Sequence, residues 1–159
     1  MRIIIHCVGK LKESYLKQAV EDYSKRIGQY CHVEISEVAD LPIPEHSSAA
    51  IEEEIKEKEC AAMLKSMKPG DFLVVCDLQG KQMESPQFAD ALSSFFVKGG
   101  SSIHFAIGGS LGLSESIKQR ANASICFSKM TFPHGLSRVI LLEQIYRAFK
   151  INSHEPYHK

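Results

Sequence analysis

Five short apolar runs, separated by stretches with helical periodicity, constrain the fold of this chain more than any other feature. The strand-like runs are Arg2–Val8, Cys31–Val38, Asp71–Asp77, Ser102–Ile107 and Ser124–Phe127. The helical patterns lie at about Ser14–Gln29, Ala49–Met67, Ser85–Val97, Ser114–Ala121 and His134–Phe149. Strands that alternate with helices of this length are typical of an α/β fold with a mainly parallel sheet. We therefore expect that fold, in one domain spanning residues 1–159.

Composition excludes several classes of protein. The chain is 44% hydrophobic and 24% charged, which excludes a disordered or low-complexity protein. No segment approaches the ~20 apolar residues of a membrane span, and the apolar run at the N-terminus is too short for a signal peptide. The five cysteines show no CxxC spacing, which favours reduced thiols over a zinc site or disulfides. We expect a cytoplasmic protein without a metal.

The charge is balanced in total but not along the chain. Lys and Arg number 19, as do Asp and Glu, and this balance argues against a nonspecific nucleic-acid binder. From His134 to Lys159 there are four Lys or Arg and two acids, whereas Glu45–Glu59 holds six acids and two lysines. The neutral total therefore conceals a basic C-terminal end.

Three strand-like runs end in unusual loops, at Cys76–Lys81, Gly108–Gly112 and Phe127–Phe132. In a parallel sheet these ends share one edge, and ligands bind there. The glycines allow a close approach of backbone to a ligand. The loop at Gly108 is neither a GxGxxG fingerprint nor a Walker loop. The pattern predicts a backbone-lined, mostly apolar cleft, suited to a purine ligand such as S-adenosylmethionine and not to a polyphosphate.

Several motifs together resemble one known family. They are Val8-Gly9, Gly80-Lys81, IGGSLGLS at Ile107–Ser114, SKMTFPH at Ser128–His134, RVILLEQIYRAFKI at Arg138–Ile151, and the terminal YHK. Over its whole length the chain resembles the ribosomal RNA large subunit methyltransferase H family, the smallest of the SPOUT methyltransferases. No single motif is specific, but the combination is.

The resemblance implies a SPOUT-type parallel sheet with a C-terminal deep trefoil knot, and an S-adenosylmethionine site formed by the knot loops. The cofactor-binding positions that it implies are Cys76, Gly108, Phe127, Ser128, Lys129, Met130, Thr131 and Phe132. It also implies a homodimer that methylates N3 of a pseudouridine in 23S rRNA, within the assembled 70S ribosome. The basic C-terminal end suits such an RNA-facing surface.

The catalytic positions are expected in the terminal helix and tail. They are Tyr157 for base stacking, His158 for proton transfer or base-edge contact, Lys159 and Arg147 for phosphates, with Glu143 and His134 nearby. The lysine at 159 stands where many relatives have arginine, so it keeps the charge but lacks the bidentate fork. Glu143 and Arg147 also have the spacing of a structural ion pair.

The terminal helix carries two apolar stripes. Val139, Leu142, Tyr146 and Phe149 form one, and Ile140, Leu141 and Ile145 form the other. We expect one stripe to cover the sheet and the other to face a partner subunit. The alternative is a helix wholly buried in one chain.

Two other functions stay open at this point. One is a Rossmann-like enzyme with a nucleotide cofactor, which the missing GxGxxG disfavours. The other is a noncatalytic ribosome-binding factor with the same fold.

Overall fold

The computed structural model describes residues 1–158 and confirms the alternation of strands and helices. The strands are β1 (Arg2–Val8), β2 (His32–Val38), β3 (Phe72–Gln82), β4 (Ser102–Ile107) and β5 (Ala123–Cys126). The helices are α1 (Ser14–Ile27), α2 (Ala49–Leu64), α3 (Ser85–Gly99), α4 (Glu115–Arg120) and α5 (His134–Asn152). The bounds differ most from expectation at the end of β3, which reaches Gln82 instead of Asp77. Lys159, an expected phosphate contact, lies outside the described residues.

The strands form one five-stranded sheet in the order β2-β1-β4-β3-β5, and every neighbouring pair is parallel. The predicted α/β fold with a parallel sheet is therefore confirmed. The central strands β1 and β4 are buried almost throughout, as expected for strands covered on both faces. All five carboxyl ends point toward one edge of the sheet.

Helices cover both faces of this sheet. Ile3, Ile5 and Phe105 pack against α1, α3 and α5 on one face. On the other face, Leu73 and Val75 pack against α2 and α4. Alternate residues of each strand thus supply the two cores, as the two-residue period of a strand requires. Within residues 1–158, no helix is long and apolar enough to cross a membrane.

β3 continues through the segment that was expected to be a loop. Cys76 pairs with Ile125 of β5, and after a register shift Lys81 pairs with the same Ile125. Residues 77–80 therefore bulge outward before β3 returns to β5. Gly80 lies within this bulge, where a Cβ atom would stand 2.5 Å from the carbonyl carbon of Ile125. Glycine is needed there because any side chain would collide with the β5 backbone.

A buried arginine fixes the start of α5. Arg138 has no exposed side-chain surface, and its guanidinium donates to Glu37 at 2.7 Å and to the carbonyl oxygens of Val8 and Gly9 at 3.0 and 2.7 Å. These contacts hold α5 against the carboxyl ends of β1 and β2. A buried charge is tolerated only with such partners.

We expected one apolar stripe of α5 to face a partner subunit. For the second stripe this expectation is wrong at two of its three residues. Leu141 and Ile145 are fully buried within the chain, because α5 packs against both α1 and α3 and covers the sheet with most of its surface. Ile140 is half-buried. The apolar surface that α5 leaves exposed lies nearer its start, at Leu136, which is 39% exposed, and at half-buried Val139.

Candidate active site

A cavity of about 580 Å³ lies at the carboxyl edge of the sheet. Seven of the eight predicted cofactor-binding residues line it: Cys76, Gly108, Phe127, Ser128, Met130, Thr131 and Phe132. The eighth, Lys129, is exposed and is not part of the lining. The volume falls within the range of sites for small molecules and cofactors. His134, predicted among the catalytic residues, also lines this cavity.

Gly108, Gly109 and Gly112 line one wall of the cavity, and a glycine can do so only with its backbone. The segment after β4 folds back on itself, so that Gly109 forms an isolated bridge with Gly112. A Cβ atom on Gly108 would lie 2.5 Å from the carbonyl carbon of Gly112. The turn thus exists only because Gly108 has no side chain. Beyond the turn, Ser114 caps α4 by accepting a hydrogen bond from the Ile117 amide at 3.4 Å.

The opposite wall is the segment from Phe127 to Phe132. The Met130 amide donates to Oγ of Ser128 at 3.0 Å, and Sγ of Cys126 donates to the Ser128 carbonyl at the same distance. These local bonds set the turn between β5 and α5. Burial raises the pKa of the Cys76 thiol, which lines the same cavity. Cys76 therefore contributes a neutral, weakly polar surface and not a reactive thiolate.

A second group of predicted residues meets at the far end of α5. Arg147 donates to Oε1 of Glu143 at 2.6 Å, and its guanidinium lies 4.6 Å from the centre of the Tyr157 ring. The Tyr157 hydroxyl donates to the same Glu143 oxygen at 3.2 Å. Nδ1 of His158 lies 3.4 Å from a terminal nitrogen of Arg147. We call Glu143, Arg147, Tyr157 and His158 the tail cluster.

Residues that the sequence analysis did not assign to the site hold the tail in place. Glu155 accepts a hydrogen bond from the Tyr30 hydroxyl at 2.8 Å and binds Nζ of Lys150 at 2.5 Å. The Tyr157 ring then packs edge-on against Tyr146, with ring centres 4.9 Å apart. Tyr30 lies 125 residues before Glu155, so no local pattern could reveal this contact.

The hydrogen bonds restrict what each member of the tail cluster does. Burial, with a further contribution from a hydrogen bond to Tyr23, raises the pKa of Tyr157 to about 12, so its phenol stays protonated near neutral pH. The Glu143 carboxylate accepts from Arg147, from Tyr157 and from Gln144 at 2.8 Å. Its lone pairs are therefore engaged. The cluster presents an aromatic ring, a cation and an imidazole.

Comparison with known proteins places the chain in a family. Residues 1–158 match the family model described as predicted SPOUT methyltransferase. Two curated relatives, from Bifidobacterium animalis subsp. lactis and Clostridium beijerinckii, are each 52% identical over the full length of both chains. Each of the two is named Ribosomal RNA large subunit methyltransferase H. The chain belongs to this family. The resemblance inferred from the motifs is thereby confirmed.

A solved structure shares the fold of this methyltransferase H family member. It is that of a probable methylase family protein from Haemophilus influenzae Rd KW20, with a TM-score of 0.54. The match covers 99% of this chain and 70% of the other, at 10% sequence identity. At that identity the likeness concerns the fold alone. It agrees with the five-stranded parallel sheet described above.

In this family member the cavity and the tail cluster lie apart within one chain. His134 begins α5 at the cavity, whereas Glu143 and Arg147 are nine and thirteen residues further along the helix. At the rise of an α-helix these separations are about 13 and 20 Å. Five of the six predicted catalytic residues are described, and four of them meet in the tail cluster. Within residues 1–158, no group of three or more potential metal ligands is assembled.

Proposed function

We propose that this chain transfers a methyl group from S-adenosylmethionine to N3 of a pseudouridine in the 23S rRNA of the assembled ribosome. The observation that carries the proposal is the backbone-walled cavity at the sheet edge of a full-length methyltransferase H family member. When bound, S-adenosylmethionine supplies the methyl group on an activated sulfonium. The protein would act in the cytoplasm, as one domain.

The cavity suits that methyl donor. Backbone at Gly108 and in the segment from Phe127 to Phe132 offers amide and carbonyl groups for the edges of a purine, and half-buried phenylalanines offer apolar surface. The lining includes Lys56 and Lys118, but it has no glycine-rich loop ending in Lys-Ser or Lys-Thr to hold a triphosphate. The cavity therefore lacks the recognised loop for a triphosphate.

The tail cluster suits the RNA. The half-buried ring of Tyr157 would stack on a base that is turned out of its helix. Arg147, together with Lys159, supplies positive charge for backbone phosphates. Because a guanidinium only donates, its contact with His158 places the proton of the neutral ring on Nε2. That nitrogen then donates to a carbonyl of the base.

Removal of the N3 proton falls to an imidazole. Tyr157 stays protonated, and Glu143 has its lone pairs engaged. Histidine is the side chain that changes charge near neutral pH. His134 in the cavity wall is the imidazole proposed for this step, because Nδ1 of His158 already accepts from Arg147 and its Nε2 carries the proton. Positioning of the base against the methyl donor supplies the rest of the rate acceleration.

We infer that a second copy of the chain completes the site. In one chain the tail cluster is separated from the cavity by about 13–20 Å of helix. Exposed apolar residues lie close to the cavity, at Met130 (73% exposed) and Leu136. Burial of these side chains against a partner would favour a homodimer. The tail of one subunit would then reach the cavity of the other.

We also propose that the C-terminal segment threads a deep trefoil knot. Two contacts support this topology. β3 leaves β5 at Cys76 and returns to it at Lys81, so the bulge at residues 77–80 forms a loop beside β5. The chain that follows β5 lines the cavity beside the fold-back at Gly108–Gly112. Knots are rare in proteins.

Labelled methyl transfer tests the proposed function. The protein is incubated with labelled S-adenosylmethionine and with 70S ribosomes that lack the modification, and the labelled nucleotide is mapped. We expect label on N3 of one pseudouridine in 23S rRNA. Ribosome association without any transferred label would instead identify a noncatalytic ribosome-binding factor.

A further inference from the structure

Asp77 differs from every other residue in the lining of the cavity. Within residues 1–158 it is the single acidic residue of that lining. It follows Cys76 at the point where β3 leaves its first pairing with β5. Its side chain is only 19% exposed. A carboxylate withdrawn from water in this way requires polar partners.

Lys118 on α4 is the partner that the structure gives to Asp77. Its Nζ lies 3.4 Å from Oδ2 of Asp77 and 3.7 Å from Oε1 of Glu115, so the ammonium is shared between two carboxylates. Glu115 is 70% exposed and does not line the cavity. Within the described part of the chain, Oδ1 of Asp77 has no ion-pair partner. One oxygen of a cavity carboxylate is thus left for a ligand.

We propose that Asp77 accepts hydrogen bonds from the ribose hydroxyls of the methyl donor, while Lys118 acts as its counter-ion. This inference rests on the proposed function. A carboxylate only accepts hydrogen bonds, and a ribose diol offers two O–H donors. An acidic side chain near the end of a parallel strand plays this part in dinucleotide sites of open α/β sheets. Asp77 has that position beside the backbone walls that suit the purine.

The position of Lys118 favours the ribose over the other donor group of the ligand. The α-ammonium of S-adenosylmethionine is the alternative partner for an acid. An ammonium bound to Asp77 would stand close to Nζ of Lys118, because that nitrogen is already 3.4 Å from the carboxylate. Two like charges at such a distance repel. The neutral diol meets no such repulsion.

Calorimetric titration with two nucleosides tests the assignment without any enzymatic turnover. The ligands are 5′-methylthioadenosine, which has the ribose but no amino-acid group, and its 2′,3′-dideoxy counterpart. We expect Asp77→Ala to weaken binding of 5′-methylthioadenosine roughly 10- to 100-fold. Binding of the dideoxy compound should change by less than about twofold, because the lost contact is absent there already.

Glu115→Ala is the matched control, since Glu115 shares the same lysine but does not line the cavity. It should bind both nucleosides as the wild-type chain does. Thermal unfolding of each variant shows whether the fold is retained. If Asp77→Ala only damaged the cavity in general, its binding of both nucleosides would weaken by the same factor, and that result would overturn the inference.

Two further results separate this inference from the proposed function. A loss that Asp77→Ala shows with S-adenosylmethionine but not with 5′-methylthioadenosine would assign the carboxylate to the α-ammonium and overturn the ribose contact alone. Failure of the wild-type chain to bind S-adenosylmethionine would overturn the proposed function, and the inference with it.

Discussion

The guanidinium of Arg147 lies 4.6 Å from the centre of the Tyr157 ring, and one of its terminal nitrogens donates to Glu143 at 2.6 Å. An arginine in this position both supports the tail and carries positive charge to its surface. The i, i+4 spacing of Glu143 and Arg147 would by itself indicate an ordinary helix ion pair. Tyr157 makes this pair part of a larger cluster, because its ring packs on the cation and its hydroxyl donates to the same carboxylate.

Replacement of Arg147 by lysine should impair methyl transfer and not cofactor binding. Lysine keeps the charge but loses both the fork that binds Glu143 and the planar contact with Tyr157. We expect the methylation rate on ribosomes to fall about tenfold or more, with an unchanged Kd for S-adenosylmethionine. Arg120→Lys is the control, because Arg120 lies on α4, outside the tail cluster, and donates to the Asp71 carbonyl at 3.1 Å. A parallel loss of cofactor affinity would contradict the separation of the two sites.

Removal of the Glu155 carboxylate should loosen the tail. Glu155→Gln eliminates the ion pair with Lys150 and weakens the bond from Tyr30. We expect faster amide hydrogen exchange at His154, Glu155, Tyr157 and His158 and a higher KM for ribosomes, without a change in the exchange of β1 or β4. Tyr30→Phe removes one of the same contacts from the other side and should act in the same direction. Unaltered exchange in the tail of both variants would show that these bonds do not hold it.

Gly108→Ala should disrupt the cavity wall. The added Cβ would lie 2.5 Å from the carbonyl carbon of Gly112, so the fold-back must open. We expect a loss of about 1–3 kcal/mol in the free energy of unfolding and a large rise in the Kd for S-adenosylmethionine. Gly28→Ala is the control, since Gly28 has a helical φ of −54°. Normal cofactor binding by Gly108→Ala would show that this loop does not form the site.

The stability of the protein should decrease as the pH falls from about 6.5 to 4. His6 and His104 are buried side by side, with Nε2 of His6 2.8 Å from Nδ1 of His104 and Asp71 on the far side of His104. Burial, and to a lesser extent His104, lowers the pKa of His6 from 6.5 to about 4. In that pH range the unfolded chain binds more protons than the folded one, so acid favours unfolding.

We expect His6 alone to account for a loss of about 3 kcal/mol, and urea unfolding at a series of pH values would measure it. His6→Gln should flatten this pH dependence. An unfolding free energy of the wild-type chain that is constant from pH 7 to 4.5 would contradict the account of the buried pair.

The sequence predicted the elements whose signal is local. The apolar run at Ser102–Ile107 and the short helix that starts near Ser114 have the predicted positions because periodicity is visible over a few residues. The bulge of β3 at residues 77–80 was missed, since the DLQG segment has the composition of a loop and the residues that flank it, Cys76 and Lys81, both pair with the distant Ile125. The burial of Leu141 and Ile145 was missed because helical periodicity does not reveal how many neighbours surround a helix.

In the candidate site, too, the residues in local motifs were predicted and those that depend on distant contacts were not. Family motifs placed Gly108 and the segment from Phe127 to Phe132 at the cavity, where the structure has them, with Lys129 as the exception. The role of Glu155 depends on Tyr30, and the isolation of Asp77 as the single acid of the cavity lining depends on three-dimensional position. Neither relationship has a local sequence signal.

The most direct test mixes two inactive variants. One lacks Tyr157–Lys159 and keeps an intact cavity; the other, Gly108→Ala, keeps an intact tail. Thermal unfolding and size-exclusion chromatography first establish that each variant is folded and dimeric. We predict that each alone fails to methylate 70S ribosomes and that activity returns after the variants are mixed and exchange subunits. Absence of methylation in the mixture, with exchange demonstrated, would contradict a site built from the cavity of one subunit and the tail of another.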